Sequence, residues 1–250
     1  NKQWWVAKDA SDNFDPAELT KIFFGNTRAP RGHFILDPFN KDRTTVSGVS
    51  NITAETVTTR PEAVAFFAGR AWYGGPTSSA IAGTVYFSQI IENDANIGRC
   101  FQEADPTSEE ISDLIDTDGG VIVIPEAGNI LSMRVTDESL LVFAVNGVWA
   151  ISGSGGGFTP TNFVVASIGD AGLLGKRSLV DVEGVPLWWS ERGVYSIGRN
   201  EVTDRIEAKS ISEQTIQTYY DDVIPNLSKT FCQGSYDPVS KKVTWLWNAA

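Results

Sequence analysis

Histidine, cysteine and long apolar runs are scarce in this chain. Its 250 residues include one histidine and two cysteines, too few for the clustered ligands of a zinc site. No run approaches the ~18 consecutive apolar residues of a transmembrane helix, and no signal peptide opens the chain. Cys100 and Cys232 do not make a disulfide framework. A single disulfide between these two cysteines is one alternative. Two reduced, buried thiols are the simpler expectation.

Basic residues are also in deficit. The chain has 20 Lys and Arg against 31 Asp and Glu, which gives a net charge of −11. This balance argues against a nucleic-acid clamp, because neutralising phosphates needs Lys and Arg. Hydrophobic residues make up 42% and charged residues 20% of the chain, a globular composition in a chain long enough to bury a core.

Short runs of β-branched and aromatic residues, separated by many of the 23 glycines and 11 prolines, predict an all-β fold. The predicted strands are Val64–Ala68, Thr84–Ser88, Val121–Ile124, Ile130–Val135, Leu140–Val145, Val148–Ile151, Leu179–Val182, Leu187–Ser190, Val194–Ile197, Phe231–Tyr236 and Val243–Trp247.

A hairpin unit recurs along the chain. In its clearest copy, Asn146-Gly147 joins two strands and predicts a type I′ turn, because this pair tolerates the positive φ angles that the turn needs. Similar units occupy 63–73, 186–197 and 234–247. Gly147 and Gly193 lie 193 − 147 = 46 residues apart. A period of about 40–50 residues predicts a β-propeller with four-stranded blades, and this segment need not contain all of the blades. The alternative is a β-sandwich or barrel whose hairpins merely look alike.

The repeat has an insertion and a non-repeating start. Residues 92–120 are the insertion, where Pro106 and the pair Thr107 and Glu110 predict a short helix near 106–116. Residues 1–60 are assigned to a non-propeller segment, part of a platform or connector, and 61–250 to propeller blades. Within the first segment, 44–59 reads as an extended connector or edge strand. A predicted strand at the end of the chain indicates a segment of a longer protein.

Motifs for chemistry are weak. His33 is expected to be a packed or surface residue. The acidic run before Gly119 fails as an EF-hand, because that register puts Leu114 and Pro125 in ligand positions; a solvated acidic helix is the better interpretation. The glycine-rich stretches 153–157 and 169–177 lack the P-loop spacing. Ser190 lacks a nucleophile elbow and is placed at a strand end. We therefore predict no catalytic, cofactor-binding or metal-binding residues, although a pair of carboxylates stays possible.

Tryptophan is abundant, with eight residues. Six of them lie on the repeat strands, where we expect them to pack between blades rather than form a sugar or base platform. They are Trp72, Trp149, Trp188, Trp189, Trp245 and Trp247. Trp4 and Trp5 lie outside the repeat and could anchor a partner.

Seven segments stand in a characteristic order along the chain: 29–36, 59–73, 85–89, 100–109, 140–153, 158–161 and 182–190. This ordered set resembles the tail nozzle proteins of short-tailed bacteriophages, also called tail tubular protein B. The resemblance implies a β-propeller in a structural virion protein that is not an enzyme. It also implies six copies in a conduit for genome DNA, which passes without specific binding, and contacts with the tail adaptor protein and tail fibres. The implied location is the virion tail, assembled in the host cytoplasm.

Two other functions stay open at this point. One is a non-catalytic receptor-binding propeller, and the other is a propeller hydrolase that degrades host-surface polysaccharide. Fold alone does not choose among these functions.

Overall fold

The computed structural model describes residues 22–25, 33–36, 61–76, 82–92, 96–97, 99–100, 115–136, 139–153, 157–200 and 205–248. Its elements are β1 (Ile22–Gly25), β2 (His33–Leu36), β3 (Ala63–Phe67), β4 (Arg70–Gly74), β5 (Thr84–Phe87), β6 (Arg99–Cys100), β7 (Gly120–Val123), β8 (Ile130–Val135), β9 (Ser139–Ala144), β10 (Gly147–Gly153), β11 (Phe163–Gly169), β12 (Val180–Val182), β13 (Val185–Ser190), β14 (Gly193–Arg199), β15 (Ile206–Ser210), α1 (Gln217–Asp222), α2 (Asn226–Thr230), β16 (Gln233–Asp237) and β17 (Lys242–Leu246).

Three antiparallel sheets of four strands follow one another along the chain. Sheet 1 has the order β3-β4-β5-β7, sheet 2 contains β8 to β11 in sequence order, and sheet 3 contains β12 to β15 in sequence order. A two-stranded hairpin, β16-β17, follows sheet 3. In a separate small sheet, β1 pairs antiparallel with β2 and parallel with β6.

Neighbouring sheets pack face to face in the order of the chain. The first strands of sheets 1 and 2, β3 and β8, are in contact, and so are the fourth strands of sheets 2 and 3, β11 and β15. The hairpin continues this series, because β16 contacts β12. Each sheet therefore neighbours the sheet that precedes or follows it in sequence.

Strand β9 shows how the middle sheet serves two cores. Leu140, Val142 and Ala144 belong to the apolar cluster shared with sheet 1, whereas Leu141 and Phe143 belong to the cluster shared with sheet 3. Successive side chains of a strand point to opposite faces. A continuous apolar run is therefore what a strand buried on both faces requires.

The paired tryptophans of β13 follow the same rule. Trp188 packs on Phe143 of sheet 2, with ring centroids 5.2 Å apart, and its indole nitrogen donates a 2.8 Å hydrogen bond to the carbonyl of Ala171. Trp189 points to the opposite face and packs edge-on against Tyr220 of α1. The two adjacent tryptophans thus contribute one large side chain to the core on each face of sheet 3.

The all-β expectation is confirmed at the level of class, and all eleven predicted strands overlap observed strands. Within the three four-stranded sheets, two strands, β11 and β15, were not predicted. β11 exposes residues on both faces, so it lacks the alternating pattern of a half-buried strand. β15 has the sequence Ile-Glu-Ala-Lys-Ser, in which Glu, Ala and Lys disfavour strands.

The C-terminal part contains helices that the sequence reasoning missed. Neither α1 nor α2 has a side-chain hydrogen bond at its N-cap, so the usual start signal is absent. Phe231, predicted to begin a strand, instead follows α2. The insertion helix predicted at 106–116 lies outside the described residues, apart from residues 115–116, which are not helical.

The type I′ turn predicted at Asn146-Gly147 is wrong, although the hairpin forms. Gly147 pairs with Ala144, so the turn residues are Val145 and Asn146, and neither has a positive φ. Asn146 instead anchors the turn by donating a 3.0 Å side-chain hydrogen bond to the carbonyl of Glu126. Glycine is needed at 147 for space, because a Cβ there would lie 2.7 Å from the carbonyl oxygen of Gly169.

Candidate functional site

A cleft of about 960 Å³ lies at the end of sheet 2 where sheets 1 and 3 approach it. Phe66 and Phe67 of β3 line one side, and the ends of β10 and β11 form the floor. Arg199, the last residue of β14, and Arg205, which directly precedes β15, also line the cleft. The volume suits a small ligand or a few side chains of a partner.

Small side chains create this space. Ser152 lies between Ser139 and Val164 in one row across sheet 2, and Ala150 pairs with Ala166 in the next row. The equivalent positions deeper in the same interface carry larger residues, which fill the gap to sheet 3. A floor of serine and alanine leaves that gap open at the sheet end.

The described residues that line the cleft include two arginines and several hydroxyl groups. Among the described residues that line it, Arg199 and Arg205 are the charged side chains, and three serines and one threonine supply hydroxyls. No described lining residue is a carboxylate, histidine or cysteine. The described lining therefore offers positive charge, hydroxyl groups and apolar surface.

A second polar centre is built around Arg70, which is 1% exposed at the start of β4. Its guanidinium donates to the carbonyls of Ser88 (2.7 Å) and Thr117 (3.3 Å) and to those of Asp116 and Asp118. It also lies over the Phe87 ring at 5.7 Å. Desolvation lowers the pKa of Arg70 to about 10, opposed by the nearby Asp118 and Asp116 carboxylates.

Arg70 therefore ties the end of the acidic insertion to sheet 1. Asp118 is 2% exposed and its carboxylate accepts a 2.9 Å hydrogen bond from the Ile115 amide. The expectation of a solvated acidic run is wrong for Asp118. Sequence reasoning missed Arg70, because an arginine after a hairpin glycine carries no signal of burial; the group is structural.

The other predicted positions are scattered. His33 falls in β2, whose side chains lie outside the described set, and no three His, Cys, Asp or Glu residues in the described ranges could hold a metal ion. Ser190 is the last residue of β13, as predicted, and it is buried. Residues 154–156 of the glycine-rich stretch and most of the acidic insertion lie outside the described residues. No helix in the described ranges has the length and hydrophobicity needed to span a bilayer.

Four of the six tryptophans that were expected to be core residues are buried. Trp72, Trp149, Trp188 and Trp189 are buried, and Trp72 contacts the rings of Phe67, Phe87 and Phe158. Trp245 and Trp247 are half-buried against the far face of sheet 3. Trp4 and Trp5 lie outside the described residues.

The two cysteines are free and buried, which confirms the simpler expectation. Cys100 lies in the cluster on the outer face of sheet 1, and Cys232 lies in the cluster on the far face of sheet 3. Burial raises the pKa of Cys100 well above its usual value and raises the pKa of Cys232 to about 12. Both thiols are therefore protonated and unreactive in the folded protein.

These thiols predict a loss of stability in alkali. The unfolded chain releases both thiol protons near pH 9, before the folded chain does, so the free energy of unfolding falls as the pH rises from 9 towards the folded pKa values. The largest slope is about 1.4 kcal/mol per pH unit for each thiol. Urea midpoints between pH 8 and 10 measure this fall.

Alanine variants supply the control for this prediction. We expect the double variant Cys100→Ala, Cys232→Ala to be less stable at pH 8 and to show a shallower decline between pH 9 and 10. Tyr86, whose pKa burial raises to about 12, adds its own decline above pH 10 in both proteins. Parallel curves for the parent and the double variant below pH 10 would contradict the assignment.

Comparison with known proteins does not assign the chain to a family. No protein-family model matches the chain, and no curated protein is significantly similar to it.

Proposed function

We propose that this chain belongs to a tail nozzle subunit of a short-tailed bacteriophage and that its sheets are blades of a β-propeller. The observation that carries the proposal is the series of three four-stranded antiparallel sheets, stacked face to face in chain order. Propellers are built by this kind of radial repetition of four-stranded sheets. The nozzle resemblance of the sequence implies the same architecture.

The middle sheet favours a propeller over a sandwich. A sandwich has two sheets, and each packs one face inward and exposes the other. Sheet 2 instead contributes to one apolar cluster with sheet 1 and to another with sheet 3. A sheet that is covered on both faces by sheets of the same strand order is the arrangement of a blade between two neighbouring blades.

In this proposal the chain is structural and has no catalytic role. Six copies surround a channel, contact the tail adaptor protein and the tail fibres, and let genome DNA pass. The net charge of −11 supports passage without binding, because acidic walls repel phosphate and leave the DNA free to slide. The protein is then located in the virion tail after assembly in the host cytoplasm.

Electron microscopy of the purified protein and of the particle that contains it tests the proposal. We expect a sixfold ring with a bore wider than duplex DNA, located in the tail. A protein that stays monomeric in solution, together with particles that lack it, would exclude the conduit function.

The cleft supports a second candidate, a non-catalytic receptor-binding propeller. The observation that supports this candidate is the combination of Phe66, Phe67 and two arginines around the cleft. Screening the same purified protein against host-surface glycans and proteins separates the candidates. Specific binding without ring formation would favour receptor binding, whereas glycan cleavage would favour a hydrolase.

A further inference from the structure

The helical connection between sheet 3 and the last hairpin carries two series of residues at a spacing of four. The buried series is Tyr220, Ile224, Ser228 and Cys232. The exposed series is Tyr219, Val223, Leu227 and Phe231. Neighbouring residues of a helix lie about 100° apart around its axis. The exposed series therefore flanks the buried one and points away from sheet 3.

The two helices of this connection form one surface, because they pack on each other. The Lys229 ammonium of α2 lies 4.3 Å from the centroid of the Tyr220 ring of α1. Tyr220 and Cys232, from the two ends of the connection, join the same cluster on the far face of sheet 3. Ile216, at the N-cap of α1, is exposed as well. We call Ile216 and the exposed series together the outer stripe.

The outer stripe has the apolar area of an interface. Leu227 is 72% exposed and Phe231 is 66% exposed, and the other three side chains are about half exposed. With roughly 150–200 Å² for each fully exposed side chain of this size, the stripe presents about 500 Å² of apolar surface. A stable interface covers about 800 Å² on each partner, and about 65% of it is apolar when two copies of one chain meet. The stripe alone supplies that apolar part.

The charges beside the stripe differ between its two ends. The exposed carboxylates at α1 are Glu213, Asp221 and Asp222. Arg177 is exposed near the end of α2, where the chain approaches so closely that a Cβ added to Gly175 would lie 2.3 Å from the carbonyl oxygen of Thr230.

Arg177 is the cation of this region that is available to a partner. It forms no ion pair with a residue that the structure describes, whereas the neighbouring Lys176 pairs with Glu62. At the other end, Arg192 pairs with Asp170. An antiparallel second copy would place the acidic end of one stripe opposite Arg177 of its partner, and opposite charges that face each other across an interface fix its orientation.

We propose that the outer stripe joins two copies of this chain in an antiparallel pair, with α1 of one copy lying on α2 of the other. Ile216 and Tyr219 of each copy then meet Leu227 and Phe231 of its partner, and Val223 lies at the centre. Such a twofold contact uses the same surface on both copies, whereas a closed ring of six needs two different surfaces on each copy. The pair is therefore independent of the nozzle function.

Analytical ultracentrifugation of the full chain at micromolar concentrations measures this pairing. We expect a dimer whose dissociation constant lies at the micromolar end of the range for interfaces of this size. Leu227→Glu should raise that constant at least about tenfold, because it places a carboxylate in the apolar contact. Phe231→Gln should also weaken the pair, without any change in net charge.

Val239→Glu is the matched control for Leu227→Glu. Val239 is 92% exposed and lies in the turn between β16 and β17, outside the stripe, so the same chemical change there should leave the dimer intact. Both positions are exposed, and circular dichroism should show unchanged folding of both variants. Arg177→Glu tests the antiparallel orientation and should weaken the pair severalfold, because it replaces an attraction by a repulsion.

A chain that stays monomeric at all these concentrations would overturn the pairing, and so would equal effects of Leu227→Glu and Val239→Glu. An unchanged dimer in Arg177→Glu would overturn the antiparallel orientation. A ring of six that survives both stripe variants, with no dimer, would overturn the pairing and leave the nozzle function standing. A dimer that both stripe variants dissolve, in a protein that forms no ring, would support the pairing and count against the nozzle function.

Discussion

Replacing Arg70 with methionine is expected to lower the free energy of unfolding by about 3–5 kcal/mol, the usual cost of removing one partner from a buried charged network. Methionine preserves much of the apolar contact with Phe87 and removes every donor. The carbonyls of Ser88 and Thr117 and the buried Asp118 would then lose their cationic partner. Unsatisfied buried acceptors, rather than lost packing, cause the effect.

Urea unfolding followed by tryptophan fluorescence measures this change. Arg192→Met is the matched control, because Arg192 pairs with Asp170 at 2.5 Å while their side chains are 64% and 75% exposed. We expect that control to cost less than about 1 kcal/mol. Equal urea midpoints for the two variants would refute the role of Arg70.

Replacing Gly75 with alanine is expected to cost about 3 kcal/mol, through two additive causes. Gly75 has a φ of +65°, which disfavours any residue with a Cβ. An added Cβ would also lie 2.1 Å from the carbonyl oxygen of Ile130. Ile130 begins β8, so relief of the clash requires sheets 1 and 2 to separate.

Gly184→Ala separates these two causes. Gly184 also has a positive φ, +89°, but nothing lies within 4 Å of an added Cβ. We expect a cost of about 1 kcal/mol there, from the backbone conformation alone. Thermal and urea unfolding of both variants give the comparison. If Gly75→Ala costs no more than Gly184→Ala, the close contact between the sheets is not rigid.

Prediction succeeded where local patterns decide structure. The apolar run of β9 and the doubled tryptophan of β13 identify strands without any tertiary information, because few other conformations satisfy such sequences. It failed for β11, which presents residues to both sides of a free edge, and for α1, which is short and lacks an N-cap hydrogen bond. Helices of this length depend on tertiary contacts, here the burial of Tyr220.

The candidate site was less predictable than the fold. Arg199 and Arg205 carry no motif, and the serine and alanine positions of the floor resemble ordinary strand residues. The small floor residues form a cleft because strand pairing places Ser139, Ser152 and Val164 side by side across three strands. Only the pairing of strands brings these small residues together on one face of the sheet, where they leave a cleft.

The sequence by itself determined the mostly-β class, most of the strands, the acidity of the protein and the burial of four tryptophans. Strand formation and burial follow from the local alternation and size of side chains, and acidity follows from the overall composition. Tertiary structure alone decided the series of stacked sheets, the partners of Arg70 and the position of the cleft. Each of these depends on contacts between residues far apart in the chain, such as Arg70 with Thr117. Such contacts arise from how complete sheets pack, and no short stretch of sequence encodes them.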